Sequence, residues 1–328
     1  MLTPYSESWL MSNLNKIAIL TGPTAIGKTE ISIKVARFIS DIEIISADSM
    51  QIYKNMDIGT DKPGKNILNR YKHHCIDLVE PWEAFSVAQY VKQAKKCISD
   101  ILSRNKKPMI VGGTGLYIKS LINPIFEGPG RNQKIRDTFY KVAKEKGNLF
   151  LYEELKKYDP EYSEKININD TRRIVRALEV LYETGKPMSY FHKKTFNNGS
   201  KEDYQYLIIC IYRNRDNLYQ KINERVDNII ENGLINETKL LMEKYDNINN
   251  LNAMQGLGYK QILLYLQGYI RKDEAIDIIK KKTRHFAKRQ MSWFRNQIKI
   301  DYWIDLDQYQ NPEDGTLKIV DIMKREGY

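Results

Sequence analysis

Gly22-Pro23-Thr24-Ala25-Ile26-Gly27-Lys28-Thr29 is a complete GxxxxGK(S/T) run. Such a run binds phosphate when it leaves a strand and opens a helix. Its glycines let backbone N–H groups converge on phosphate oxygens, and the helix N-terminus adds positive potential. Lys28 supplies a point charge, and Thr29 offers a hydroxyl to Mg²⁺. The loop serves a phosphoryl donor and a diphosphate leaving group equally well, so it does not say which bond breaks. A second candidate is Asp48, which follows the apolar run Ile44-Ile45-Ser46-Ala47. That places an acid at the carboxyl end of a strand, the edge where open α/β sheets bind ligands. An acid there can also cap a helix or hold a metal.

The elements that must position these residues follow from hydrophobic patterning. Short apolar runs alternate with longer amphipathic segments, the α/β pattern. Strands are expected at Lys16–Leu20, Ile42–Ser46, Pro108–Val111, Leu207–Tyr212 and Asp301–Leu306. Each is followed by a loop or helix, which favours a mostly parallel sheet. Ile31, Val35, Phe38 and Ile39 share one face of the helix after the phosphate loop. The stretch from about 123 to 200 lacks a convincing buried strand and reads as a helical insertion lobe, with Asn197–Ser200 as a polar exit linker. The expected division is thus 1–122 with 201–328 as the catalytic core and 123–200 as the insertion.

Composition narrows the class. The 328 residues are 42% hydrophobic, enough for full cores. The net charge of +11 favours polyanions, although a lysine-rich coat alone would give the same number. Cys75, Cys97 and Cys210 have no CxxC or metal spacing, a reduced, cytoplasmic pattern. The first fifteen residues carry neither a basic nor an apolar signal region, and no stretch reaches membrane-spanning length. A cytoplasmic monomer away from membranes is expected.

Further motifs carry a family resemblance. Asp48-Ser49-Met50-Gln51-Ile52-Tyr53 is followed by Asp57-Ile58-Gly59-Thr60-Asp61-Lys62-Pro63, then by Arg70-Tyr71-Lys72-His73-His74-Cys75-Ile76-Asp77. Val111-Gly112-Gly113-Thr114-Gly115-Leu116-Tyr117 comes next, then Asn169-Asp170-Thr171-Arg172-Arg173-Ile174 with Arg176-Ala177-Leu178-Glu179. Gln255-Gly256-Leu257-Gly258-Tyr259-Lys260, Ala287-Lys288-Arg289-Gln290 and Trp293-Phe294-Arg295 close the series. In this order the motifs resemble those of the bacterial-type tRNA dimethylallyltransferases. Asp61 and Gly256 depart from the alanines usual in that family, which bears on fine substrate geometry.

The resemblance implies a P-loop NTPase-like core and transfer of a dimethylallyl group from its diphosphate to the exocyclic amine of the adenosine 3′ of the anticodon. It implies Asp48 as the base that takes the amine proton. Lys28, the Gly22–Thr29 backbone and Mg²⁺ on Thr29 would neutralise the leaving diphosphate. Arg215, in a segment resembling the family's RxxLY, is the expected additional cation, and Thr24 is expected to hydrogen-bond between the reactants. The resemblance assigns Asp48, Ser49, Met50, Gln51, Thr114, Arg136, Asp170, Arg172, Arg173, Gly258 and Tyr259 to the tRNA anticodon stem-loop. A long helix over Ala275–Ile298 is expected to bury Ile276, Ile279, Phe286, Met291 and Phe294. It presents Lys280, Lys281, Lys282, Arg284, Lys288 and Arg289 outward, with Lys281, Lys282, Lys288 and Arg289 assigned to RNA phosphates. His73 and His74 read as structural. A P-loop kinase of a small acceptor, an adenylate isopentenyltransferase and a non-catalytic RNA-binding module that senses nucleotides remain as alternatives.

Overall fold

The protein, in a computed structural model, is described over residues 15–123, 128–197 and 204–328. The segment 198–200 of the expected linker, and residues 1–14 with their expected lack of a signal, lie outside the described residues. The chain divides into two compact units, Met1–Ile122 with Glu202–Tyr328, and Asn123–Lys201.

The first unit is built on a sheet whose described strands all run parallel: β1 (Lys16–Thr21), β2 (Ile42–Ser46), β3 (His73–His74), β4 (Lys107–Gly112), β5 (Gln205–Tyr212) and β6 (Tyr302–Asp305). Their order is β3-β2-β4-β1-β5-β6. Both faces are covered, so each strand is apolar on alternate sides. Ile17 and Ile19 of β1 pack with Ile45, Ile98 and Ile110 on one face. Ala18 and Leu20 pack with Ile44, Ile209 and Ile211 on the other. The two-residue β3 was too short for sequence periodicity to reveal. His74 within it bonds the buried Glu43 carboxylate at 2.7 Å, which Arg104 and Lys106 also hold.

The long helix runs Lys272–Gln297. Its buried stripe is Ala275, Ile279, Thr283, Ala287, Gln290 and Phe294. Phe286, expected inside, is 36% exposed, while Ile276 and Met291 are half-buried. The stripe follows the helical repeat through small and polar residues, which a search for large apolar side chains passes over.

The second unit is helical among its described residues, with Gln133–Lys146, Asn148–Tyr158 and Thr171–Thr184 around Leu151, Leu155, Ile174 and Leu178. Asp170 caps Thr171–Thr184, accepting from Arg173 N–H at 3.1 Å. Gly185 ends that helix in the left-handed conformation. At its centre Glu179 is fully buried. Arg136 grips it with Nε and a terminal nitrogen at 2.9 Å each, and Arg176 (2.6 Å) and the Asn132 N–H (2.7 Å) complete the shell. Arg136, expected at the RNA, is therefore committed to an internal ion pair. Burial raises the Glu179 carboxyl, but the Arg136 and Arg176 hydrogen bonds outweigh it and hold the pKa below its ordinary value.

This cluster makes a stability prediction. Removing one partner of a buried charge network leaves the others uncompensated, at a cost of roughly 3–5 kcal/mol. Glu179→Ala should lower the unfolding free energy of this unit by about that much in urea titrations. Because the folded pKa is depressed, the contribution is present above the unfolded carboxylate pKa and fades as pH falls through the folded value. A loss below about 1 kcal/mol would contradict the assignment.

Candidate active site

Three strand ends of the first unit converge at one edge of the sheet. β1 runs into Gly22, β2 into Asp48 and β4 into Gly113. Gly22 has φ +151°, and a Cβ there would lie 2.4 Å from the Ile211 carbonyl oxygen, so only glycine fits. Gly27, at φ +94°, starts the helix Lys28–Phe38. Around the loop lies a cavity of about 540 Å³ lined by Thr24, Lys28, Thr29, Asp48, Gln51, Asp61 and Arg225, with Ile26, Ile44 and Val111 as apolar wall.

Lys28 Nζ donates to the carbonyls of Pro23 (2.7 Å) and Gly22 (3.1 Å), which curl the loop around it. Burial pulls its pKa down to about 8, opposed by Asp48 and assisted by Arg225. An arriving diphosphate would favour the charged form. Asp48 Oδ1 accepts from the backbone N–H of Met50 at 2.8 Å, and of Gln51 at 3.4 Å, fixing the turn. Its other oxygen has no hydrogen-bond donor among the described residues. Ser49 N–H donates to Thr114 Oγ1 at 3.0 Å, and Gln51 accepts from Ser46 Oγ at 2.9 Å. Met50 seats its methyl where a Cβ on residue 256 would fall, so the Gly256 departure makes room for this methionine.

The arginine that lines the cavity is not the one the resemblance implied. Arg215 is exposed at the start of the helix Arg215–Glu231, over the Tyr219 ring at 5.1 Å, and does not line the cavity. Further along the same helix Arg225 does. One terminal nitrogen donates a short hydrogen bond to Thr24 Oγ1, and Nε pairs with Asp61 at 3.0 Å. Arg215 was expected from the resemblance of its segment to the family's RxxLY. The available signal for Arg225 was its place beside the buried stripe Leu218, Ile222 and Val226, which turns it inward. Gln290 was also missed as a site residue. Nearly buried on the long helix, it accepts from Thr24 N–H at 2.9 Å and donates to the Gly113 carbonyl at 2.8 Å.

Gly258 and Tyr259, assigned to RNA by resemblance, are buried. Gly258 opens the helix Tyr259–Leu266 at φ +94°. Tyr259 donates its hydroxyl to Glu237 at 2.5 Å, and Glu237 accepts the backbone N–H groups of Asp57, Ile58 and Gly59. They shape the turn that carries Asp61 and have no open surface to offer a macromolecule.

On the long helix, Lys281, Lys282, Lys288 and Arg289 are exposed, and the lysines have no ion-pair partner among the described residues. Lys280 is held by Asp227 at 2.7 Å and Arg284 by Asn223 at 2.7 Å. In the helical unit Arg172 is exposed without an ion-pair partner among the described residues, while Arg173 pairs with Asp170 at 3.3 Å. His73 bonds the Tyr71 carbonyl at 2.6 Å.

Two outcomes follow for binding of inorganic pyrophosphate, measured by titration calorimetry. Arg225→Ala should weaken it about tenfold or more, and Arg215→Ala less than about twofold. With Lys28 charged only below about pH 8, affinity should fall by up to about tenfold per pH unit above that value. Lys28→Arg should remove the break. An equal loss from both arginine variants, or no break distinguishing wild type from Lys28→Arg, would contradict this geometry.

A family model described as IPP transferase matches residues 51–297, and one described as isopentenyl transferase matches residues 15–80. A tRNA dimethylallyltransferase of Carboxydothermus hydrogenoformans is 48% identical over 306 residues, 93% of this chain and 96% of that protein. The crystal structure of a tRNA isopentenylpyrophosphate transferase of Staphylococcus epidermidis superposes with TM-score 0.68 at 35% identity, covering 95% of this chain and 99% of the other. A eukaryotic dimethylallyltransferase acting on tRNA superposes with TM-score 0.77 at 28% identity, covering 95% and 80%. The fold is that of these transferases, a P-loop-like α/β core, and the chain belongs to the IPP transferase family.

Proposed function

We propose that the protein transfers a dimethylallyl group from dimethylallyl diphosphate to the exocyclic amine of the adenosine 3′ of the anticodon in tRNA, releasing diphosphate. The observation that carries this reading is one cavity holding both a phosphate cradle, Lys28 in its loop, and the strand-end carboxylate of Asp48. The named tRNA dimethylallyltransferase among its relatives matches it over nearly the whole chain.

The chemistry follows from those two groups. The amine is a weak nucleophile because its lone pair is delocalised into the ring. As its nitrogen bonds to the allylic carbon, Asp48 takes the proton and the carbon–oxygen bond to diphosphate breaks. Lys28, Arg225 and the loop N–H groups stabilise the charge that collects on the departing oxygens. Thr24, joined to Arg225 by its hydroxyl and to Gln290 by its amide, keeps the loop in place. Thr29 lines the cavity at the start of its helix, an oxygen donor of the kind Mg²⁺ takes. Bound there with the diphosphate, Mg²⁺ would add charge neutralisation.

Transfer to free AMP would need the same cavity but no RNA surface. The exposed lysines of the long helix, without ion-pair partners among the described residues, favour a polynucleotide acceptor. The target base must leave its stack to enter the cavity, which is least expensive for an unpaired loop base.

With labelled donor, the label should enter unmodified tRNA and not AMP. Asp48→Ala should lower the single-turnover rate by roughly 10²–10⁴ while tRNA binding stays within a few-fold. An unimpaired rate removes Asp48 from the mechanism, and preferential labelling of AMP overturns the choice of acceptor.

The basic helix predicts a salt effect. Neutralising Lys281, Lys282, Lys288 and Arg289 together should flatten the log–log salt dependence of tRNA binding by about 0.7–0.9 for each phosphate that is no longer neutralised. The KM for the prenyl donor should hardly change, because phosphate contacts position RNA without entering the chemistry. Equal slopes for wild type and variant would take this helix out of the RNA interface.

A further inference from the structure

Asp61 puts a negative charge into a cavity that the preceding reading fills with diphosphate. It lines the same cavity as Lys28 and Arg225, and its carboxylate pairs with Arg225 Nε at 3.0 Å. Its backbone is held in place. The Asp57–Gly59 backbone is fastened by three hydrogen bonds to Glu237. Thr60 Oγ1 donates to the Met56 carbonyl, and Asp61 N–H donates to Ile58 at 3.0 Å. Asp61 itself sits at φ +55°, a conformation that Asp and Asn tolerate better than most side chains. Arg225 therefore spans from the 60% exposed Asp61 carboxylate, carried on a held backbone, to the Thr24 hydroxyl of the phosphate loop.

From this we infer that Asp61 is a positioning residue acting through Arg225, a built-in counter-charge that competes with diphosphate for the guanidinium and speeds its release. The inference rests on the proposed diphosphate site. Among the charged side chains lining the cavity, Lys28 and Arg225 are positive and Asp48 and Asp61 negative. Diphosphate must draw the guanidinium from Asp61 or share it. Breaking the carbon–oxygen bond leaves the diphosphate with one more negative charge than the ester carried, so the nearby Asp61 carboxylate penalises the product as it forms more than the donor. Asp61 thereby holds Arg225 at the loop before the donor arrives and weakens the grip on what remains after transfer.

The sign of the effect separates this role from a merely structural one, because damage to the turn would weaken anion binding. The test is pyrophosphate affinity, measured on the full chain for wild type, Asp61→Ala, Asp61→Asn, Arg225→Ala and the Asp61→Ala/Arg225→Ala double variant, with donor KM alongside. Asp61→Asn keeps the backbone preference and removes only the charge. Both Asp61 variants should bind pyrophosphate about three- to tenfold more tightly, with a smaller fall in donor KM. In the Arg225→Ala background the gain should shrink below about twofold. Unchanged or weakened affinity in Asp61→Asn overturns the inference, as does an undiminished gain without Arg225. A wild type that binds no pyrophosphate would overturn the proposed diphosphate site itself, a result distinct from either.

Discussion

The site depends on how closely three parallel strands can end together. A Cβ on Gly112 would lie 2.2 Å from the Ala47 carbonyl oxygen, so β4 reaches β2 only because residue 112 has no side chain. The junction is then stapled. Ala47 N–H donates to Val111 at 2.8 Å, Thr114 N–H to Ala47 at 3.1 Å, and Thr21 Oγ1 to Gly112 at 2.9 Å. Asp48 follows directly from this knot and Gly22 leaves the neighbouring strand, so the Asp48 carboxylate and the Gly22–Thr29 loop inherit their relative placement from the sheet. Strand order makes this possible. β1 lies between β4 and β5, and the crevice at such a reversal is where open α/β sheets hold ligands.

A second layer of contacts ties distant chain segments to that edge. Gln290 wedges between the phosphate loop and Gly113, where a Cβ would meet its amide nitrogen at 2.6 Å. Its neighbours Lys288 and Arg289 face solvent. One helix thus braces the loop with its buried side and carries its positive charge on the other. Glu237 does the equivalent for the Asp57–Lys62 turn, joining it to Tyr259.

Much of this was legible in the sequence. The apolar runs of β1, β2, β4 and β5 stand out because both sheet faces are buried, and the phosphate loop announces itself by spacing. Asp48 could be placed because a strand end is a position in sequence as well as in space. What escaped were side chains whose roles depend on partners far away in the chain. Arg225 meets Thr24 and Asp61 only after folding, whereas Arg215 was put forward by a motif resemblance, which does not show where a side chain ends up. Arg136, assigned to RNA by resemblance, meets a buried partner, Glu179, that lies on another helix. Tyr259 sat in a glycine-rich turn that suggested exposure, whereas its hydroxyl closes an internal network. Phe286 shows the same limit from the other side: a helix face chosen by side-chain size missed a stripe set by Thr283, Ala287 and Gln290.

The central claim is that the phosphate loop holds a leaving group and that no phosphoryl group moves. Phosphorus NMR of a reaction containing dimethylallyl diphosphate, unmodified tRNA and ATP follows every phosphate at once. One inorganic diphosphate should be released for each prenyl group found on tRNA, with ATP unchanged. Conversion of ATP to ADP with a phosphorylated acceptor, and no diphosphate from the prenyl donor, would contradict it.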